Sequence, residues 1–271
     1  MKLNKKVILA FSFMIIILVF SIIAMKENSQ NITKAVSANI QLSNKKIGWG
    51  IKRNNNHEQP DLGINNKKLI DENEDIAMGN SEDKYVYLTF DEGYEAGYTE
   101  KILDTLKENN VKAAFFITGH YLNSQSELVK RMIDEGHIVG NHTVNHYSMP
   151  DLSDEEIKNE IQKLHLAVYE KFNYEMKYLR PPKGEYSQRT LGLTKKIGYT
   201  TVMWSFAYDD WDENKQGRES YAKEKVISNM HNGCVILLHA NSKDNANILG
   251  DSIKEVRNMG YEFKTLDEFK R

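Results

Sequence analysis

The residue types able to do chemistry gather in five short strings. Thr89-Phe90-Asp91-Glu92-Gly93 sets two carboxylates side by side after an apolar run. Neither can be desolvated there cheaply without a cation to answer it. His142-Thr-Val-Asn-His146 carries two imidazoles at i, i+4, a spacing that on a helical turn puts both rings on one side. With a nearby carboxylate they form the donor set of a facial metal site, for which zinc is the default ion and cobalt, iron or nickel also fit. An ion taken up by one carboxylate leaves the other to act as general base toward a water that the ion activates.

The other strings complete an acid-base system. Arg180-Pro181-Pro182-Lys183-Gly184 stiffens the backbone with two prolines and offers a guanidinium that can hold the Asp91 carboxylate in one orientation. Tyr208-Asp209-Asp210-Trp211 sets carboxylates beside an aromatic wall, and Leu237-Leu238-His239 ends an apolar run on a histidine. Paired with Asp210, His239 is kept protonated as a general acid for a leaving amine. Taken singly, each string has a plainer reading: a helix-capping acid, a turn arginine, a core histidine. Their position argues otherwise. Asp91-Glu92, Asn141-His142, Arg180 and His239 each fall at or just after the C-terminal end of an expected strand. In a βα barrel those ends share the face that carries active sites.

The positioning elements are legible as alternating β-rich runs and amphipathic stretches. Strands are expected at 85–90, 113–118, 137–141, 176–179, 200–205, 234–239 and 261–264. Helices are expected at 99–109, 124–134, 153–172, 187–196, 222–231 and 245–258. Ser153 with Glu156 spells a capping box, and Gly136, Gly198, Gly233 and Gly260 stand where helices stop. The fold class is α/β: seven strands, one short of a regular barrel, point to a deformed (β/α)7 barrel of parallel strands.

At 271 residues, 40% hydrophobic, the chain has material for one main core. A net charge of −2 supplies no basic field, so no nucleic acid partner is expected. The single cysteine, Cys234, sits in an apolar run and reads as a buried hydrophobe. Lys2, Lys5 and Lys6 precede the uncharged apolar stretch from Val7 to Met25, so residues 1–25 are expected to be a membrane anchor or signal segment. Residues 26–83, rich in Asn, Lys, Gln and Ser, read as a poorly structured linker and N-terminal extension. Within them the aromatic island Gly48-Trp49-Gly50-Ile51 is expected to pack back onto the following domain, residues 84–271, itself expected to be monomeric.

In this order the five strings resemble the polysaccharide deacetylases of carbohydrate esterase family four, the NodB-homology domain, from Lys84 to Arg271. The resemblance implies a metal-dependent hydrolase that removes the N-acetyl group of an N-acetylhexosamine and releases acetate. It implies Asp91 as base, Glu92 with His142 and His146 as metal ligands, and His239 as acid. Arg180 would orient Asp91, Asp210 would support His239, and Trp211 would shape the acetyl pocket. The metal and a backbone N–H near Lys183 would stabilise the oxyanion. Two positions depart from the family pattern: Glu92 replaces the commoner Asp, and Ala207 stands where many members carry Asp.

The longer string from Thr89 through Tyr94-Glu95 to Thr99, the upstream Trp-Gly, Ser242 to Ala246 and Lys183 together resemble one subgroup, the delta-lactam-biosynthetic de-N-acetylases. Those act on N-acetylmuramic acid in spore-cortex peptidoglycan after an amidase has removed the stem peptide. The resemblance implies peptidoglycan strands as partner and action outside the cytoplasm, anchored to the membrane or secreted to the cell wall. Substrate contacts are expected from Lys183, Trp211 and Tyr94, with Lys183 meeting the lactyl carboxylate. Two alternatives stand beside this one. The sugar is instead N-acetylglucosamine of peptidoglycan or chitin-like chains, or the domain is a carbohydrate-binding pseudoenzyme. The second fits less well, because Asp91, both histidines and His239 are all present.

Overall fold

The computed structural model describes Lys26, residues 42–54 and residues 56–271. The apolar stretch from Val7 to Met25 lies outside the described residues. Among those described, no helix is long and apolar enough to cross a membrane.

In chain order the elements are β1 (Ile47–Gly48), α1 (Ile64–Asn73), β2 (Tyr85–Glu92), α2 (Thr99–Glu108), β3 (Ala114–Ile117), α3 (Gly119–Ser124), α4 (Ser126–Asp134) and β4 (Ile138–Asn141). There follow α5 (Asp154–Phe172), β5 (Tyr178–Leu179), β6 (Glu185–Tyr186), α6 (Gln188–Lys196), β7 (Thr200–Thr201), α7 (Glu219–Ser228), β8 (Cys234–His239), α8 (Lys243–Asn258) and β9 (Glu262–Lys264). Seven strands form one parallel sheet in the order β7-β5-β4-β3-β2-β8, and β9 lies beside the first half of β2. All of its pairings are parallel, as helical crossovers require.

Burial follows the pattern of a sheet covered by helices. Val86 to Phe90 are buried without a break, as are all of β3 and β4. Helix α5 buries Ile157, Ile161, Leu164 and Val168, one stripe at 4-3-4 spacing, and opens on the capping box of Ser153 and Glu156. Gly136, Gly198, Gly233 and Gly260 all have positive φ, so each turns the chain in a conformation that disfavours a Cβ.

Regular pairing in β7 stops at Thr201, short of the expected 205. The chain then swings to the far edge of the sheet, where Ser205 N–H and Phe206 N–H donate to the Val235 carbonyl (2.9 and 3.2 Å) and Phe206 accepts from Leu237 N–H (2.9 Å). This draws the two edges toward one another in a parallel-strand half-barrel, with the C-terminal ends of β2, β3, β4, β5 and β8 on one face.

The larger correction concerns the expected linker at 26–83: residues 27–41 lie outside the described residues, and 44–54 and 56–83 are not poorly structured. Ile47, Trp49, Ile51, Leu62, Ile70 and Ala77 pack with Tyr186, Leu191 and Met203 in a satellite core. The sequence conceals this because α1 has only Ile70 buried and begins after Gly63 without a side-chain cap. The aromatic island does pack back, with β1 pairing antiparallel to β6.

Candidate active site

Asp91 is the last residue of β2 to pair with β8, opposite His239, and its side chain keeps about a tenth of its surface open to a cavity of roughly 830 Å³. Arg180, just beyond β5, is wholly buried and donates from Nη1 to Asp91 Oδ1 at 2.8 Å. Its Nε and Nη2 donate to the carbonyls of Val202 (3.0 Å) and Met203 (3.3 Å), and its guanidinium lies over the rings of Phe116 (4.2 Å) and Trp204 (5.7 Å). A charge so fully enclosed is held by its counter-charge and hydrogen bonds together. Burial alone would raise the Asp91 carboxyl, but Arg180, His142 and His239 outweigh it and hold the carboxyl below its ordinary value.

His142 follows β4. Its Nδ1 lies 2.8 Å from the Arg180 carbonyl, which can only accept, so Nδ1 carries the hydrogen and Nε2 presents its lone pair. That Nε2 is 3.5 Å from Asp91 Oδ2, and the His146 ring centre is 4.7 Å from that of His142. Burial lowers the pKa of both histidines, that of His146 to about 4, so the pair stands neutral and able to bind a cation.

The i, i+4 spacing does not act through a helical turn. Thr143 and His146 both take left-handed backbone conformations (φ 67° and 57°), a cost that the surroundings must meet. Asn141 Oδ1 accepts from Thr143 N–H (2.9 Å) and Thr143 Oγ1 from His146 N–H (3.1 Å). Glu160 on α5 accepts from the backbone and side-chain amides of Asn145 (2.7 and 2.5 Å).

Glu92 is not brought to the histidines. β2 runs through it, and adjacent strand residues face opposite ways, so with Asp91 toward the cavity Glu92 turns behind the strand. It is wholly buried beside Thr99 and Tyr121, and neither carboxyl oxygen makes a hydrogen bond of good geometry. Burial first, then the nearby Glu95 and Asp91, push its pKa well above 4.5. Among the described residues no three His, Cys, Asp or Glu side chains gather as a metal cage. The donor chemistry of His142 and His146, with the lone pair of His142 fixed by a carbonyl, fits a divalent cation; the expected third ligand does not.

Across the cavity His239 closes β8. Its Nδ1 is 2.9 Å from Asp210 Oδ1, and Asp210 Oδ2 accepts from His239 N–H (2.7 Å) and from Asn245 Nδ2 (2.6 Å). Burial would lower the His239 pKa, yet the paired Asp210 carries it above 6.5, leaving Nε2–H toward the cavity. Asp210 is the buried member of its doublet; Asp209 is outside, on Lys215 (3.0 Å). Lys183, Trp211 and Tyr94 all line the cavity, and Trp211 and Tyr94 are more than half exposed at its rim.

Sequence reasoning missed Trp204, His120, Asn145 and Asn241 on the walls, and Asn245 behind Asp210. Asn145, inside the His142–His146 string, and Asn245, in the Ser242–Ala246 string, lay in stretches already singled out. Ala207 leaves open wall, and its carbonyl accepts from Arg53 of the N-terminal extension.

The family model for polysaccharide deacetylase matches residues 78–202. An uncharacterised 30.6 kDa protein of Geobacillus stearothermophilus is 46% identical, over 84% of this chain and 86% of that protein. The peptidoglycan-N-acetylmuramic acid deacetylase PdaA of Bacillus subtilis is 43% identical, over 83% of this chain and 86% of its own. The solved structure of that protein, a family 4 carbohydrate esterase, superposes with a TM-score of 0.82 and 42% identity, covering 84% of this chain and 98% of that one.

Proposed function

The chain belongs to the polysaccharide deacetylase family, and from that premise we propose that it removes the N-acetyl group of N-acetylmuramic acid in peptidoglycan strands whose stem peptides are gone. One observation carries the reading: two titratable groups of opposite protonation, Asp91 held by Arg180 and His239 held by Asp210, face one cavity of about 830 Å³. A volume of that order admits a sugar with part of its neighbours.

Asp91, kept ionised and oriented through Oδ1, takes a proton from the attacking water as oxygen adds to the acetyl carbon. His239 gives its Nε2 proton to the departing nitrogen as the C–N bond breaks, leaving acetate and a free amine. The turn at Lys183 contributes a backbone N–H to the developing oxyanion. Deacetylases of this family are metalloenzymes generally. His142 and His146 are the residues to hold the ion, zinc by our reading, which supplies Lewis-acid polarisation of the acetyl carbonyl and a lowered water pKa.

Lys183 supports the muramic reading. It is an exposed cation on the cavity wall, suited to the lactyl carboxylate that distinguishes muramic acid from glucosamine. The place of action is the cell wall outside the cytoplasm, and the free amine is the nucleophile from which the cortex lactam forms. Incubation with amidase-treated and untreated glycans, with acetate loss located by mass spectrometry, tests this. Muramic residues of treated strands should lose acetate, and Lys183→Met should impair that substrate selectively. Equal loss on chitin oligomers would sink the role of Lys183, and acetate loss confined to glucosamine would sink the sugar assignment.

A further inference from the structure

The turn that carries Lys183 is an improbable conformation. Lys183 and Gly184 are consecutively left-handed (φ 60° and 63°), and for Lys183 this costs about 1 kcal/mol or more. What holds the turn comes from the N-terminal extension. Trp49 N–H donates to the Gly184 carbonyl at 2.8 Å, and the strand pair beside it sets Gly48 against Glu185 and Ile47 against Tyr186. The Trp49 indole N–H donates to the Trp204 carbonyl at 2.9 Å. Gly184 is wedged between the Trp204 indole and Trp49: a Cβ there would meet Trp204 Cη2 at 2.7 Å and Trp49 Cβ at 3.3 Å. Trp204 in turn lines the cavity and lies under the guanidinium of Arg180.

We propose that Trp49 is a positioning residue for the reaction: from outside the sheet it locks the turn at Lys183–Gly184 and the Trp204 wall into one arrangement. It touches no substrate and acts through its two hydrogen bonds and its ring. The extension is thereby part of the active site, although none of its described residues lines the cavity. This rests on the deacetylase reading of that cavity.

The test measures kcat and KM for acetate release from amidase-treated peptidoglycan strands by the full chain. Three variants are compared: Trp49→Ala, Trp49→Phe and Ile70→Ala. Phe keeps most of the ring and loses the indole N–H. Ile70 belongs to the same satellite core but lies on α1, outside the β1–β6 pair beside the turn, so it reports what mere loosening of the extension does. Melting curves by circular dichroism set an assay temperature at which each variant is folded. The expected result is a fall in kcat of about tenfold or more for Trp49→Ala, a smaller fall of about threefold for Trp49→Phe, and an unchanged kcat for Ile70→Ala. A folded Trp49→Ala with kcat within twofold of the unaltered protein, or equal losses in Trp49→Ala and Ile70→Ala, overturns the proposal. If Trp49→Ala does not fold, an unchanged kcat in Trp49→Phe overturns it instead. Failure of the unaltered protein to release acetate from any glycan removes the deacetylase reading, and this inference with it.

Discussion

Replacing Glu92 with Gln separates two roles that its place beside Asp91 would otherwise merge. If Glu92 bound the ion, its loss should exceed the roughly 10–100-fold drop in metal affinity that even outer-shell substitutions cause. The structure argues for the opposite result. Glu92 is wholly buried behind β2, and its pKa lies well above 4.5, so it is already held toward the neutral acid. Gln is its isostere in that state, and stability should change by no more than about 1 kcal/mol, the net worth of one ordinary hydrogen bond. Zinc affinity by calorimetry should stay within about threefold, a difference under about 0.7 kcal/mol. Glu92→Asp provides the contrast: one methylene fewer at a fully buried site costs about 1 kcal/mol and brings the carboxyl no nearer to the histidines. Calorimetry and thermal melting on both variants, with His146→Ala as the loss-of-ligand reference, make the comparison complete. A drop in zinc affinity for Glu92→Gln that matches His146→Ala refutes the placement of Glu92 outside the ligand set.

Three further outcomes follow from the same geometry. Asp210→Asn removes the charge that raises the His239 pKa, so the alkaline limb of the pH–rate profile should move to lower pH and activity near pH 8 should fall more than activity near pH 6; an unmoved limb would refute the pairing. Asp75, 1% exposed, is pushed up to about 7 by burial and has one carboxyl oxygen unpartnered. A folded-state value above the unfolded 3.8 means that stability falls as pH rises from about 4 to about 7 and then levels off. Asp75→Asn should therefore raise the melting temperature at pH 8 and leave it nearly unchanged at pH 4, with a gain of about 1–3 kcal/mol, since the new amide N–H lacks an acceptor. Gly140→Ala would set a Cβ 2.5 Å from Phe116 Cδ1, the ring under Arg180. A loss of about 1–3 kcal/mol in denaturant unfolding, with a lowered kcat, is expected, and a neutral effect on both would refute the coupling.

Much of this was legible in the chain. The strands announced themselves because those buried on both faces read as continuous apolar runs, and the candidate site strings stood out because most of them fell at strand ends. Asp91, Arg180, Asp210 and His239 were placed by chemical complementarity, each charge finding its counter-charge. Glu92 was misread because family analogy said ligand while strand alternation, equally available, said otherwise. Residues 44–83 were misread because their few apolar side chains fill a core whose other half, Tyr186, Leu191 and Met203, lies far along the chain. No local period can reveal such a partnership. Trp204 reached the cavity only because β7 breaks off after Thr201, which depends on contacts with β8.

The hydrogen bond from Trp49 to Trp204 spans 155 positions of sequence. A chain synthesised from its N-terminus presents Trp49 long before its partners exist, and contacts of such separation close late because the loop entropy must be met first. The pairing of β2 with β8 and β9 closes over comparable separations, so the sheet and the lock on the turn at Lys183 both wait for distant parts of the chain. Competence to react is then acquired together with the closing of the half-barrel, and a chain whose β8 has not docked beside β2 lacks His239 opposite Asp91 and is silent.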